Sequence, residues 1–347
     1  MPDGAPYVSS RPAILLNGTA NNDMGKALLD IAVRAPEMGM TSAEVRMVNW
    51  GNQASGPVGF LFNQVALGDK IEIAFGLAQQ KTVFKGEVTG IEERYGDGVP
   101  HIVLLAEDAL HRLARHHVGR TFVQQSPNAI VSTLASDAGL TADAKLSDTP
   151  GDYIQLNESD LHFLRRLAAR YATWPRVVGT TLTCRKREKP PSPVTLDAGD
   201  TLRRLRVVAD LARQPIQTTV KSQDLTAGQA ISANGATLLV PASGSTAASS
   251  LRGLGWDGDE TFAFPTPATQ AEATDYANAA LDAQGRRFLH GDLVCIGNPD
   301  VNVGSAVSLA GVSPRLTGTY AVVACAHVFD ESAGYQTYAR IERADSG

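Results

Sequence analysis

Two distant stretches of this 347-residue chain repeat one pattern, and that repeat restricts the possible folds more than any other feature. "LGDKIEIAF" at 67–75 and "VGSAVSLAG" at 303–311 both run apolar, glycine, polar or small, then apolar at alternate positions. Downstream, "FKGEVTGIEERYGDGVPHIVLLAEDA" (84–109) and "LTGTYAVVACAHVFDESAGYQTYARIERA" (316–344) follow the same plan. Each reads as a glycine leading into a strand, a polar turn with a second glycine, and a returning strand. The leading glycines are similarly spaced, Gly68 to Gly86 and Gly304 to Gly318. A period of two marks strands with one buried face, with Ile71, Ile73 and Phe75 on one side and Lys70, Glu72 and Ala74 on the other. Unrelated hairpins share such patterns too. The sharper reading is a β-domain present twice, so that a trimer would place six similar units in a ring.

The segments around the repeat fit that plan. Residues 1–118 read as an antiparallel meander turning at Gly96-Asp97-Gly98, the first of two tube-like β-barrel domains. Residues 119–190 change period. "SPNAIVSTLASDAGL" predicts a helix with Ser126 as N-cap, Pro127 at N1 and Gly139 as its stop. "EDALHRLARHH", just before it, predicts a shorter helix. Residues 191–347 return to strands as a second barrel, with a proline-rich turn near its start. This barrel carries a helix at 269–284, with Ala273, Tyr276, Ala277, Ala280 and Leu281 on one face and Gly285 at its end. The small, polar, glycine-rich stretch 232–260 reads as a flexible loop. The expected fold class is therefore β-rich α+β, with an α/β helical insert between two related antiparallel barrels.

"YIQLNESDLHFLRRLAARYATWP", from Tyr153 to Pro175, holds the most distinctive motif. It opens as a strand and becomes helical after Asn157-Glu158-Ser159-Asp160. Leu161, Leu164, Leu167 and Ala168 then recur on one face beside Phe163. Asn157 or Ser159 can cap the helix, Asp160 complements its positive end, and Trp174-Pro175 ends it. This run closely resembles the signature of the phage late-control protein D and VgrG superfamily. Gly297 to Gly311, with Gly304, and Leu316 to His327, with Gly318 and Tyr320, resemble that family's C-terminal pattern. The order and spacing agree over about residues 60 to 345.

That resemblance implies a baseplate hub of a contractile tail or related injection machine. It implies a homotrimer whose barrels form a pseudo-hexameric ring between a hexameric inner tube and a trimeric spike. The chain ends at Gly347 without the OB-fold and needle of VgrG-type chains, so it reads as a stand-alone hub. A separate spike protein is its expected partner, with tape-measure or other baseplate proteins as further ones. Arg165, Arg166 and Arg170 on the motif helix are either a locally paired, solvated face or contacts to a neighbouring protomer.

Chemistry is harder to find. A net charge of -5 gives no basic stripe for nucleic acid. No apolar window is long enough for a transmembrane helix. The start of the chain lacks the basic and apolar regions of a signal peptide, so synthesis in the cytoplasm and later assembly into a particle are expected. Cys184, Cys295 and Cys325 are far apart and form no C-x-x-C, which points to free buried thiols. His116-His117 lacks a third metal ligand in register. His327 reads as structural. There is no nucleophile elbow and no phosphate loop, and Glu92-Glu93 reads as solvated. No catalytic residue, metal or cofactor is expected. The rival from another class is a two-domain β-rich hydrolase or carbohydrate-binding protein. A membrane-puncturing protein is a third reading, against which the lack of a needle repeat counts.

Overall fold

The computed structural model describes residues 11–52, 56–76, 80–96, 98–188, 192–224, 227–240, 242–263 and 265–346. The first ten residues, Asp97 of the expected turn and prolines 190 and 191 of the proline-rich turn lie outside these. Most strands join one 13-stranded sheet, built of two halves with the same internal plan. In chain order the first half contributes Ala13–Leu16, Leu28–Pro36, Ser42–Val48, Lys70–Phe75, Lys81–Arg94 and His101–Glu107. The second contributes Val194–Asp197, Leu202–Ala209, Leu289–Ile296, Ala306–Ala310, Gly318–Asp330 and Gly334–Arg343. In both halves the hydrogen-bonded order is first, fourth, fifth, sixth, third, second. One pairing differs in sense: first with fourth is antiparallel in the first half and parallel in the second.

The correspondence reaches individual residues. A bulge falls between Leu28 and Asp30 and again between Leu202 and Arg204. Another falls between Val88 and Gly90 and again between Val322 and Ala324. A bulge adds one residue to one strand only, so shared bulge positions fix an alignment that alternation alone leaves free. Gly68 and Gly304 are equivalent, with φ of 90° and 87°. Gly68 N–H donates to the Val88 carbonyl at 2.8 Å and Gly304 N–H to that of Val322 at 3.0 Å. The expected second pair does not correspond. Gly86 lies opposite Ile71, and the residue in that place in the second half, opposite Val307, is Tyr320. Gly318 instead lies opposite Leu309. Spacing along the chain does not reveal strand register, and here the two glycines are two positions out of step.

Each half buries its own core. Ile31, Val33, Val45, Ile71, Ile73 and Phe75 lie in the first and Leu289, Leu293, Val307, Tyr320, Val322 and Ile341 in the second. The halves join through one antiparallel ladder, residues 30–36 against 324–330.

Between the halves in sequence lie Pro127–Asp137, capped by Ser126 as expected, and Asp160–Ala169. The short helix is only His111–Ala114, and His117 opens the strand His117–Gln125. The core of this layer also takes in Val220, Ile231, Ala233, Ala273, Tyr276 and Ala277. The helix Gln270–Gly285 and the sheet 217–235 therefore pack on the insert, although they follow residue 190. Sequence order suggested the second barrel, but the buried face of this helix meets the insert.

Residues 232–260 also differ from the expected loop. They end one strand, include the helix Ala247–Leu254 and enter the strand Asp259–Phe262. Thr246 caps that helix through Ser249 N–H, and Gly255 closes it with φ 69°. Small residues hid a capped helix whose core anchors are Ala247 and Leu251.

Candidate functional site

The motif 153–175 is a hydrogen-bonded knot tying the strand Gly151–Ser159 to the helix Asp160–Ala169. Ser159, not Asn157, is the cap, accepting from His162 N–H at 3.2 Å. Asn157 has φ 47° in the irregular register opposite Gly119, a left-handed position asparagine tolerates. Glu158 accepts from Arg166 Nη2 at 2.6 Å and contacts His162 Nδ1 at 3.0 Å. Asp160 accepts from Gln155 Nε2 at 2.8 Å and pairs with Arg120, which also donates to Asp137 at 2.9 Å. Beneath, Leu161, Phe163, Leu164 and Leu167 are fully buried, each leucine stabilising by roughly 1.5–3 kcal/mol. Phe163 stacks on Phe122 at 5.4 Å.

The arginines of this helix are largely occupied within the chain. Besides Glu158, Arg166 donates to the Ile154 carbonyl at 3.0 Å. The Arg170 guanidinium lies 5.7 Å from the Tyr276 ring centre. Arg165 Nε is buried without a hydrogen-bond partner among the described residues, and burial lowers the Arg165 pKa.

Four charged residues form a second knot where the parts of the chain meet. Glu37 pairs with Arg187 and accepts from Arg286 at 3.1 Å; Glu342 accepts from Arg286 at 2.8 Å. Both guanidinium groups face the Trp174 ring, at 5.5 and 5.1 Å. These groups line a cleft of about 710 Å³. Asp282 shares it, and burial raises its pKa. Sequence reading missed this cluster, because its members lie far apart along the chain.

Other expected site residues stay apart from both knots. His327 is buried in the second half, its Nδ1 2.8 Å from the Tyr335 hydroxyl, and burial pulls its pKa down to about 4. Tyr320 donates to the Leu316 carbonyl at 2.9 Å within the second core. The three cysteines are buried and free; burial pushes Cys184 and Cys295 up to about 12 and Cys325 to about 11, far from thiolate reactivity. Among the described residues no three metal-ligating side chains converge, and no helix is long and apolar enough to cross a membrane.

Backbone edges are the most open feature. Among the described residues the strand Leu202–Ala209 has a ladder neighbour on one side only. The stretch from Gly90 to Arg94 is likewise paired on one side only, with His101–Leu105. Tyr95 beside it is 58% exposed, and Val123, Ile154 and Leu156 expose apolar surface on the motif ribbon.

A family model described as the Alg8 N-terminal domain matches residues 60–331. No curated protein matches in sequence. The fold is that of phage tail proteins and of VgrG-containing assemblies. The 43 kDa tail protein of prophage MuSo2 from Shewanella oneidensis superposes with a TM-score of 0.71 at 14% identity, over 97% of this chain and 99% of that one. An E. coli component of the type VI secretion system, described as structurally similar to the T4 tail proteins gp27 and gp5, gives 0.58 at 12% identity, over 91% of this chain and 73% of that one. The Francisella PdpA–VgrG complex gives 0.52 at 10% identity, over 96% of this chain and 58% of that one.

Proposed function

This chain belongs to the family of the Alg8 N-terminal domain, and from its duplicated fold we propose that it is a structural baseplate hub of a contractile tail or injection system. In this reading three chains form a ring of six similar β-halves, a trimer that docks a hexameric tube on one side and a trimeric spike on the other. Its work is assembly rather than catalysis. One observation carries the reading: the same strand order, bulges and glycine turn occur twice in one chain. A three-fold object with two equivalent units per subunit matches six-fold and three-fold partners at once. The likeness to tail proteins along nearly the full length of both chains supports the same conclusion.

The test is the solution mass by light scattering, with negative-stain images of the same peak, for the chain alone and co-expressed with its spike. A mass three times the 36.7 kDa chain and a six-lobed ring are expected. A persistent monomer in both preparations overturns the reading.

The cleft favours a second reading, a hydrolase or carbohydrate-binding protein. Glu37 and Glu342 are already clamped by arginines, which leaves Asp282 as the carboxyl raised by burial. Saccharide binding that Asp282→Asn abolishes, with the fold intact, would establish this alternative.

A further inference from the structure

We propose that protomers join by strand pairing, residues 206–210 of one chain running antiparallel to 90–94 of the next, in a register fixed by the internal duplication. The inference rests on the trimeric reading above and adds the contact that builds it. The ladder between the halves pairs Pro36 with Ala324, Ala35 with Cys325, Arg34 with Ala326, Val33 with His327 and Ala32 with Val328. The shared bulges place Gly90, Ile91, Glu92, Glu93 and Arg94 where the second half has residues 324–328. They place Arg206, Val207, Val208, Ala209 and Asp210 where the first half has residues 32–36. Transferring the ladder gives Gly90 opposite Asp210, Ile91 opposite Ala209, Glu92 opposite Val208, Glu93 opposite Val207 and Arg94 opposite Arg206. Tyr95 then faces Leu205 as Phe329 faces Ile31.

Three observations support this occupant. Both segments lack a ladder partner on the side in question among the described residues, an arrangement that invites another strand. Burial differs where a cover is missing: Ile31, Val33 and Phe329 are buried, whereas their counterparts Leu205 and Val207 are half-buried and Tyr95 is exposed. Charge is complementary as well. Glu92, opposite Val208 in this register, lies on the same face as Arg206 of the other edge. Arg94 opposite Arg206 would repel, but Glu92 accepts from Arg94 Nε at 2.7 Å and lies diagonal to Arg206 in this register. One edge thus docks on a different edge of the next copy, a head-to-tail contact that closes into a ring.

The test is disulfide trapping of the full chain co-expressed with its spike, since the native cysteines are buried. Glu93→Cys combined with Val207→Cys should give covalent dimers and trimers on oxidation. Glu93→Cys with Leu205→Cys or Ala209→Cys, on the same faces but two residues out of register, should give much less. A trimer by mass that does not cross-link, or that cross-links best out of register, overturns the strand junction and leaves the hub reading standing. If all variants and the unmodified chain remain monomeric beside the spike, both fail.

Discussion

The junction inside the chain and the two open edges are built from corresponding strands, yet their residues differ in kind. Where the halves meet, the paired positions carry Ile31, Val33, Cys325, His327 and Phe329, all buried. On the open edges the matching positions carry Leu205, Val207, Ile91, Glu93 and Tyr95. A contact made within one chain forms during folding and can be as apolar as a core. An edge that must stay soluble until a partner arrives is better served by charge, which blocks unwanted pairing and selects the right one. In the proposed ring the first contact is permanent and the second conditional.

The sharpest way to break that comparison is to truncate the same aromatic on both sides. Phe329→Ala empties a buried site, and we expect a loss of about 3–5 kcal/mol in denaturant unfolding. Tyr95→Ala loses an edge-on contact with Phe60 at 6.1 Å and a hydrogen bond to Glu93, so it should lower the stability of the isolated chain by about 1 kcal/mol while weakening the trimer in light scattering. Equal losses in the monomer would mean that the first-half edge is not conditional.

Protonation separates the two positions next. His327, held neutral by burial, has a folded pKa of about 4 against an ordinary value near 6.5. Below 6.5 the unfolded chain binds the proton more readily, so the contribution present at neutral pH is lost as pH falls from 6.5 towards 4. The full difference approaches about 3 kcal/mol. Cys325 and Tyr335 beside it are both shifted upward, so neither titrates in this window. Unfolding midpoints measured against pH should decline over this range, and His327→Gln should flatten the decline. The matching residue on the open edge, Glu93, is exposed.

How much of this was legible in the sequence follows from the same pairs. The alternation at Ile71, Ile73 and Phe75 revealed a strand because these three are buried on one face while Lys70 and Glu72 on the other are not, although Ala74 beside them is buried too. The cap at Ser126 was readable because a helix start needs a local acceptor for its free N–H groups, whereas the sequence left Asn157 and Ser159 open for the motif helix. The repeat was visible at Gly68 and Gly304, where the chain needs positive φ. It was misaligned at Gly86 and Gly318, because spacing along the chain does not show which residues pair across the strands. The Arg187–Glu37–Arg286–Glu342 knot was invisible, since nothing local announces a partner 150 or 249 residues away. The pattern of helix 270–285 shows which face is buried, not what covers it, and in the fold that face packs with residues of 110–184.

The smallest contrast lies in the paired glycines. Both hold φ near 90°, so alanine at either site incurs the strain of a left-handed backbone, roughly 1–3 kcal/mol. Their surroundings differ. A Cβ at Gly68 would meet nothing within 4 Å, whereas at Gly304 it would lie 2.6 Å from Arg176 Nη1. Arg176 is itself committed, donating through Nη2 to the Val303 carbonyl at 2.6 Å. It must shift and weaken that bond, adding about 1 kcal/mol to the loss at Gly304. Gly304→Ala should therefore unfold at lower denaturant than Gly68→Ala. Adding Arg176→Ala should remove the clash, so the double variant should lose less than the sum of the two single losses. Strict additivity would show that Arg176 does not feel the new methyl group, and that the two turns are equivalent in surroundings as well as in backbone.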